Sequence, residues 1–371
     1  MSPETPVEST LPLVEAAAVE AGVPGALVVG RDLEARDYWG EGIVAQWRLV
    51  SEVLHEHLSS APDAVDIADR LAVHREPRVR FLIPGVLAAL HAGDPEQGLA
   101  RLRRMARDED FRVAEAVQAF GIRPFAEREG AAVVDWLLPW TEDPSPMVRR
   151  AAVQAVRPRG FWVRRLDWAH GSPGLLVPLL EALRGEAERF PANAVANCLN
   201  DISRERPSLA LAILQRWLEE EAGPQVEHMA RKALRSLIKE GDPRALRLFG
   251  LEELPLDVEA TMRSPAPARP NSALVFELRI ANRGADAVAH LVYELQTTGR
   301  ISGRPRRKRY QGGSHLLAGG ATSELVVRER IFDRKAAQLL DGPGTALFWL
   351  NGAQVAEVRF EVRREDQPSQ G

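Results

Sequence analysis

Cysteine is nearly absent from this chain of 371 residues, which holds only Cys198. One thiol makes no internal disulfide and builds no thiolate metal site, so zinc ribbons and fingers are excluded and a reducing, intracellular compartment is expected. Long apolar runs are missing as well. No stretch reaches about 18 uncharged apolar residues, and Met1 to Thr10 carries Pro and Glu where a signal segment would be basic and then apolar. The eight histidines lack the paired spacing of a zinc motif, no Gly-rich loop of the phosphate-cradling kind occurs, and no Ser or Cys sits in a nucleophile elbow. Most familiar enzyme classes drop out, and a soluble, cytoplasmic, monomeric protein without metal, cofactor or membrane partner is expected.

What the chain does have is length enough for two cores. Apolar residues make up 45% and charged residues 27%, both ordinary globular values. The net charge of −4 is unevenly spread: from Leu256 onward seventeen Lys and Arg stand against thirteen Asp and Glu, which leaves −8 before it. A nucleic-acid groove needs only a local basic lining, so the overall sign excludes little.

From about Leu33 to Gly250, apolar residues recur at helical spacing between short breaks. Gly93-Asp94-Pro95, Glu142-Asp143-Pro144 and Gly241-Asp242-Pro243 each read as a helix start, with Asp as cap and Pro in the first turn. Val79, Val113, Val148 and Val226 mark similar amphipathic stretches at gaps of 34, 35 and 78, the last fitting two units of about 39. That is the period of HEAT or armadillo-like helix pairs, which stack into a curved solenoid whose concave side meets an extended partner. After Leu254-Pro255-Leu256 the pattern alternates instead, at Val275–Ile280, Leu291–Leu295, Glu324–Arg328 and Val355–Phe360. The expected architecture is a multidomain α and β chain: a partly helical segment 1–32, a HEAT/armadillo-like α-solenoid over 33–253, an immunoglobulin-like β-sandwich of six or seven strands over 256–364, and a disordered tail 365–371. Arg334–Leu340 is the one helical stretch expected among the strands.

Three segments of the solenoid place polar or aromatic residues where packing does not ask for them. In Phe120-Gly121-Ile122-Arg123-Pro124-Phe125, the Arg before a helix-breaking Pro would point a guanidinium out of a turn. Between Val148 and Trp162, Arg149, Arg150, Arg157 and Arg159 precede the aromatic pair Phe161-Trp162, a mixture suited to phosphates and bases. In Val195-Ala196-Asn197-Cys198-Leu199-Asn200-Asp201-Ile202, Asn197 and Asp201 lie four apart on one helical face. Each has a plainer reading: a solvated face for Arg149 and Arg150, an inter-helix tie for Asn197 and Asp201, a core position for Trp162. In the C-terminal part, Arg304, Arg306, Arg307, Lys308 and Arg309 fall within six residues and read as a basic loop, either tracking phosphates or solubilising.

In order and spacing, these segments together with Leu237-Ile238-Lys239-Glu240-Gly241-Asp242-Pro243 resemble the AlkC family of alkylpurine DNA glycosylases, over roughly residues 100 to 250. The resemblance implies a HEAT-like DNA-repair enzyme that grips double-stranded DNA containing alkylated bases and hydrolyses the N-glycosidic bond of cationic methylated bases such as 3-methyladenine, without metal or cofactor and without deep flipping of the lesion. It implies Asp201 as the electrostatic catalytic group with Trp162 as its aromatic partner. Arg123, Arg149, Arg150, Arg157, Arg159, Asn197 and Asn200 would contact DNA, joined by the basic loop. Some members carry an immunoglobulin-like C-terminal domain. Three positions depart from the family pattern: Ala119 stands where it has Glu, Gln154 at a second Glu, and Cys198 at a His. Glu115, one helical turn before Ala119, offers a displaced carboxylate. Ala119 also opens an alternative, a non-catalytic reader of damaged or branched DNA; a HEAT-like protein-interaction scaffold is a third reading.

Overall fold

The computed structural model describes residues 10–160, 162–220, 223–298, 305–333 and 339–364, and the chain divides into two compact units, Met1–Ala233 and Leu234–Gly371.

The first unit is a stack of helix pairs. The first helices of successive pairs are Ala64–Ala72, Pro95–Met105, Val133–Leu137, Val177–Ala182 and Pro207–Glu220; the second are Pro77–Leu90, Phe111–Ala116, Pro146–Gln154, Arg189–Glu205 and Pro224–Ala233. Thr10–Ala21 and Ile43–Leu58 precede them. The four registration valines all sit near the start of second helices and are buried, and Arg189–Glu205 fills the double gap between Val148 and Val226. Second helices pack on one another in sequence, so their outward side chains line one continuous face.

The Val-Arg step at the start of a second helix repeats a device. Arg80 donates from Nε and Nη2 to Asp108 at 2.6 and 2.8 Å, and from Nη1 to the carbonyls of His74 and Arg75. Arg149 does the same one unit along from its own helix: Nε and Nη2 reach Glu186 at 2.6 and 3.1 Å, while Nη1 reaches the carbonyls of Asp143 and Pro144. A planar fork suits this because it ties the loop behind and the acid ahead with one side chain.

Asp94 caps Pro95–Met105, accepting from the Gln97 amide at 3.2 Å, and Asp242 caps Pro243–Arg247, accepting from the Arg244 amide at 2.9 Å. Asp143 differs from expectation. The next helix starts at Pro146, and the Asp143 carboxylate is buried, accepting from Arg103 (2.8 Å), Arg107 (2.6 Å) and the Ser145 amide (2.9 Å). Burial alone would raise its pKa, but Arg107, the Ser145 amide and Arg103 hold it below the usual carboxylate range.

The second unit opens with helices Arg235–Glu240 and Pro243–Arg247, which the sequence reading grouped with the solenoid; here Arg309 and Gln311 donate to the carbonyls of Lys239 and Arg235 at 3.2 Å each. Seven strands follow: β1 Leu256–Met262, β2 Ala273–Asn282, β3 Ala287–Thr298, β4 Pro305–Leu317, β5 Thr322–Arg330, β6 Gly342–Leu350 and β7 Ala353–Val362. They form antiparallel sheets in the orders β1-β2-β5 and β4-β3-β6-β7. Alternation does the sorting: Phe276, Leu278 and Ile280 of β2 and Ala346, Phe348 and Leu350 of β6 turn into one shared core, where the Phe276 and Phe348 rings meet edge-on at 5.5 Å.

The expected basic loop is corrected. Pro305–Leu317 is an edge strand paired with β3 from Pro305↔Thr298 to Leu317↔Ala287, and Gly312 passes so close to Leu291 that a Cβ there would stand 2.7 Å from its side chain. Charge on such an edge discourages pairing with another chain. Arg304, most of the expected helix Arg334–Leu340 (residues 334–338) and the expected tail 365–371 lie outside the described residues. Among the described residues, no helix is long and apolar enough to cross a membrane.

Candidate nucleic-acid interface

The face made by the second helices of the first unit carries Arg150, Asn197 and Asp201, and Arg157 reaches it from the turn after Pro146–Gln154. Asp201, on Arg189–Glu205, is only 5% exposed and is gripped by Arg157, whose Nε and Nη2 both stand 2.9 Å from its Oδ2. Nη1 of Arg157 also donates to Gln154 at 3.2 Å. Cys198, one turn before Asp201, is fully buried, and burial pushes its thiol up to about 12, which leaves it protonated and unreactive. Asn197 is half-buried on the same face as Asp201, and the buried Asn200 donates to the Ala233 carbonyl at 2.9 Å and so joins its helix to the next second helix.

Arg123 does not point out of a turn. It is 1% exposed, donating from Nη1 to the carbonyls of Ala155 (3.0 Å) and Arg157 (2.9 Å) and from Nη2 to the carbonyl of Arg164. Burial lowers its pKa from the ordinary arginine value. The helix it begins grows from a wider π-helical stretch, Val117–Ile122, which sets the angle at which the guanidinium enters the interior. Arg123 therefore clamps both ends of the segment that carries Arg157 and Trp162, and it is not available to a phosphate.

Trp162 adopts a left-handed backbone, φ 66°, and its ring meets that of Trp47 at 5.6 Å. Trp47 in turn packs edge-on against Phe81 and Phe120 at 4.6 and 6.5 Å, and Nη2 of Arg48 donates to the Trp162 carbonyl at 3.0 Å. Beside this aromatic group lies a cavity of about 460 Å³ bordered by Arg48, Glu52, Ala119, Phe120 and Arg164. Ala119 faces this space without a polar group. Glu115 does not: its carboxylate is paired with Arg150, and both side chains are largely buried.

The remaining arginines are engaged to different degrees. Arg149 serves the inter-repeat tie described above, and Arg159 pairs with Glu205. Arg150 stacks its guanidinium 5.1 Å from the Phe111 ring. In the second unit Arg306 donates to the Phe332 carbonyl at 3.0 Å, and Arg309 pairs with Glu294 at 3.1 Å while lying over Trp349 at 4.3 Å. Arg307 is exposed, and Lys308 is exposed over Tyr310 at 4.5 Å. Trp47, Arg48, Phe111 and Phe190 were not singled out from the sequence. They sit in ordinary amphipathic helices, and only the stacking of distant helices brings them beside the motifs.

No known family's sequence model matches the chain. The uncharacterized protein YhaZ of Bacillus subtilis (strain 168) is 31% identical over 157 residues, 42% of this chain, so the match spans less than half, 43%, of that relative's length. AlkD2 from Streptococcus mutans aligns with 56% of this chain and 97% of its own at 20% identity and a TM-score of 0.45. The alkylpurine DNA glycosylase AlkC of Pseudomonas fluorescens, in a structure bound to DNA containing an abasic site analog, aligns with 96% of this chain and 97% of its own, at 22% identity and a TM-score of 0.81. Stacked helix pairs followed by antiparallel sheets are, in this chain, the AlkC-like fold.

Proposed function

We propose that this is a DNA-repair protein that binds alkylated duplex DNA across the second-helix face and hydrolyses the N-glycosidic bond of cationic methylated bases such as 3-methyladenine. The observation that carries the reading is the Arg157-held Asp201 carboxylate, in a chain folded over nearly its whole length like an alkylpurine DNA glycosylase. An N-alkylated purine is already cationic, so as the C1′–N bond breaks its electron pair neutralises the departing base and leaves an oxocarbenium-like sugar. A fixed carboxylate stabilises that cation and orients the water that adds to C1′, the proton passing to solvent. The Trp162 indole offers a π-face to the same charge. This chemistry calls for no metal or cofactor. Arg150, Arg157, Arg159 and Asn197 line the same face, and Arg307 and Lys308 on β4 supply phosphate contacts in the second unit. The strand orders β1-β2-β5 and β4-β3-β6-β7 support an immunoglobulin-like reading of the sandwich.

A second reading is a non-catalytic reader of damaged or branched DNA. It is favoured by Ala119, which leaves the cavity without a carboxylate at that position, and by the Arg150 ion pair that occupies Glu115. Release of methylated bases from methylated duplex DNA, with the Asp201→Asn variant alongside, separates the two. Release by the wild type and not by the variant supports the glycosylase; tight binding without release supports the reader.

A further inference from the structure

Phe111 and Phe190 are 45% and 47% exposed, and each begins or nearly begins a second helix. Single exposed apolar residues are ordinary on protein surfaces. These two converge from separate repeats, with ring centroids 5.6 Å apart and planes tilted by 40°, and the Arg150 guanidinium, from the helix between theirs, lies 5.1 Å from the Phe111 ring. Phe190 and Asp201 are eleven residues apart on one uninterrupted helix. Eleven residues make about three turns, so the two side chains share a face and stand about 16 Å apart along it. Arg189 beside Phe190 is exposed, and no carboxylate pairs with it among the described residues. An apolar tip beside the exposed Arg189, on the face that holds Asp201, complements a polyanion with an apolar interior.

We propose that Phe111 and Phe190 form an apolar wedge that enters a base step of the bound duplex, partly unstacking it within about five nucleotides of the sugar facing Asp201, given 3.4 Å of rise per nucleotide. Arg189 holds a flanking phosphate. The inference rests on the proposed binding of duplex DNA to this face, and it adds a contact that grips the helix away from the reacting bond.

The test uses the full-length protein and duplexes carrying an abasic-site analogue, with 2-aminopurine placed in turn at each position up to six nucleotides to either side. Wild type should raise 2-aminopurine fluorescence at least twofold at one or two of those positions, and Phe111→Ala/Phe190→Ala should abolish the rise while still binding the duplex, with affinity lowered by tenfold or less. An unchanged fluorescence pattern with the variant bound overturns the wedge and leaves the DNA-binding reading standing; if thermal stability falls at the same time, the pair merely shields the Glu115–Arg150 ion pair from water. A wild type that binds neither damaged nor undamaged duplex overturns both.

Discussion

Arg157 fixes Asp201 from the preceding repeat, both its Nε and Nη2 meeting one carboxylate oxygen at 2.9 Å. Both side chains are almost wholly buried. Asp201→Asn keeps the shape and removes the charge, so base release should fall by at least a hundredfold while DNA affinity stays within about threefold, a rate effect of the size seen when one electrostatic group is lost. Arg157→Ala leaves a buried carboxylate without its cation and should cost about 3–5 kcal/mol of stability in chemical denaturation. Base release unaffected by Asp201→Asn would remove this carboxylate from the reaction.

Arg123 holds three backbone carbonyls at once. Arg123→Ala should destabilise the protein by at least about 3 kcal/mol, because several buried acceptors lose their donor together. Arg123→Lys should recover only part of it, since an ammonium cannot span the fork. Urea denaturation of the two variants measures both effects, and near-wild-type stability in Arg123→Ala would refute the clamp.

Asp143, with its pKa held below the usual carboxylate range by Arg107, the Ser145 amide and Arg103 against the opposing effect of burial, contributes stability that is present above the unfolded pKa of about 3.9 and is lost as pH falls through the lower folded value. Asp143→Asn should cost about 1–3 kcal/mol at pH 7. The difference from wild type should shrink as pH drops below about 4. Thermal melts across pH 3 to 7 show the trend; a difference that grows toward acid would contradict it.

On β4, Arg307 and Lys308 are exposed whereas Arg306 and Arg309 are tied to Phe332 and Glu294. Replacing Arg307 and Lys308 by Gln should weaken duplex binding and reduce the slope of log K against log salt by about 1–2, and the same pair of changes at Arg306 and Arg309 should chiefly lower stability. Fluorescence anisotropy titrations at several salt concentrations separate these. Equal salt slopes for wild type and the Arg307/Lys308 variant would mean that the strand's charge only guards its edge.

The helix pairs and the change to strands were legible because both rest on local signals: valines at repeat spacing, Asp-Pro starts, alternation in β2 and β7. Arg123 was misread because the Pro after it suggests an exposed turn, while a π-helical stretch lets the helix run on and carries the guanidinium inward. Arg149 was misread because nothing local shows that the partner of a helix-start arginine is an acid in the next repeat, Glu186. The basic run at 305–309 looked like a loop because cations outnumber apolar residues there, but an edge strand needs apolar partners on one side only. Trp47, Phe111 and Phe190 carry no motif, and their significance comes from long-range packing alone.

The wide turn at Val117–Ile122 also gives this stretch a slack in length that its neighbours do not have. Deleting one residue there would let the helix tighten to the common pitch with the parts on either side turned little, whereas the same deletion in an ordinary helical turn would rotate everything beyond it by about 100°. Only in the second case would Arg123 swing off its three carbonyls and the segment bearing Arg157 and Trp162 lose its anchor. Along this helical run, the six residues of the wide turn are therefore the place where one residue can be lost with the helices on either side still in phase.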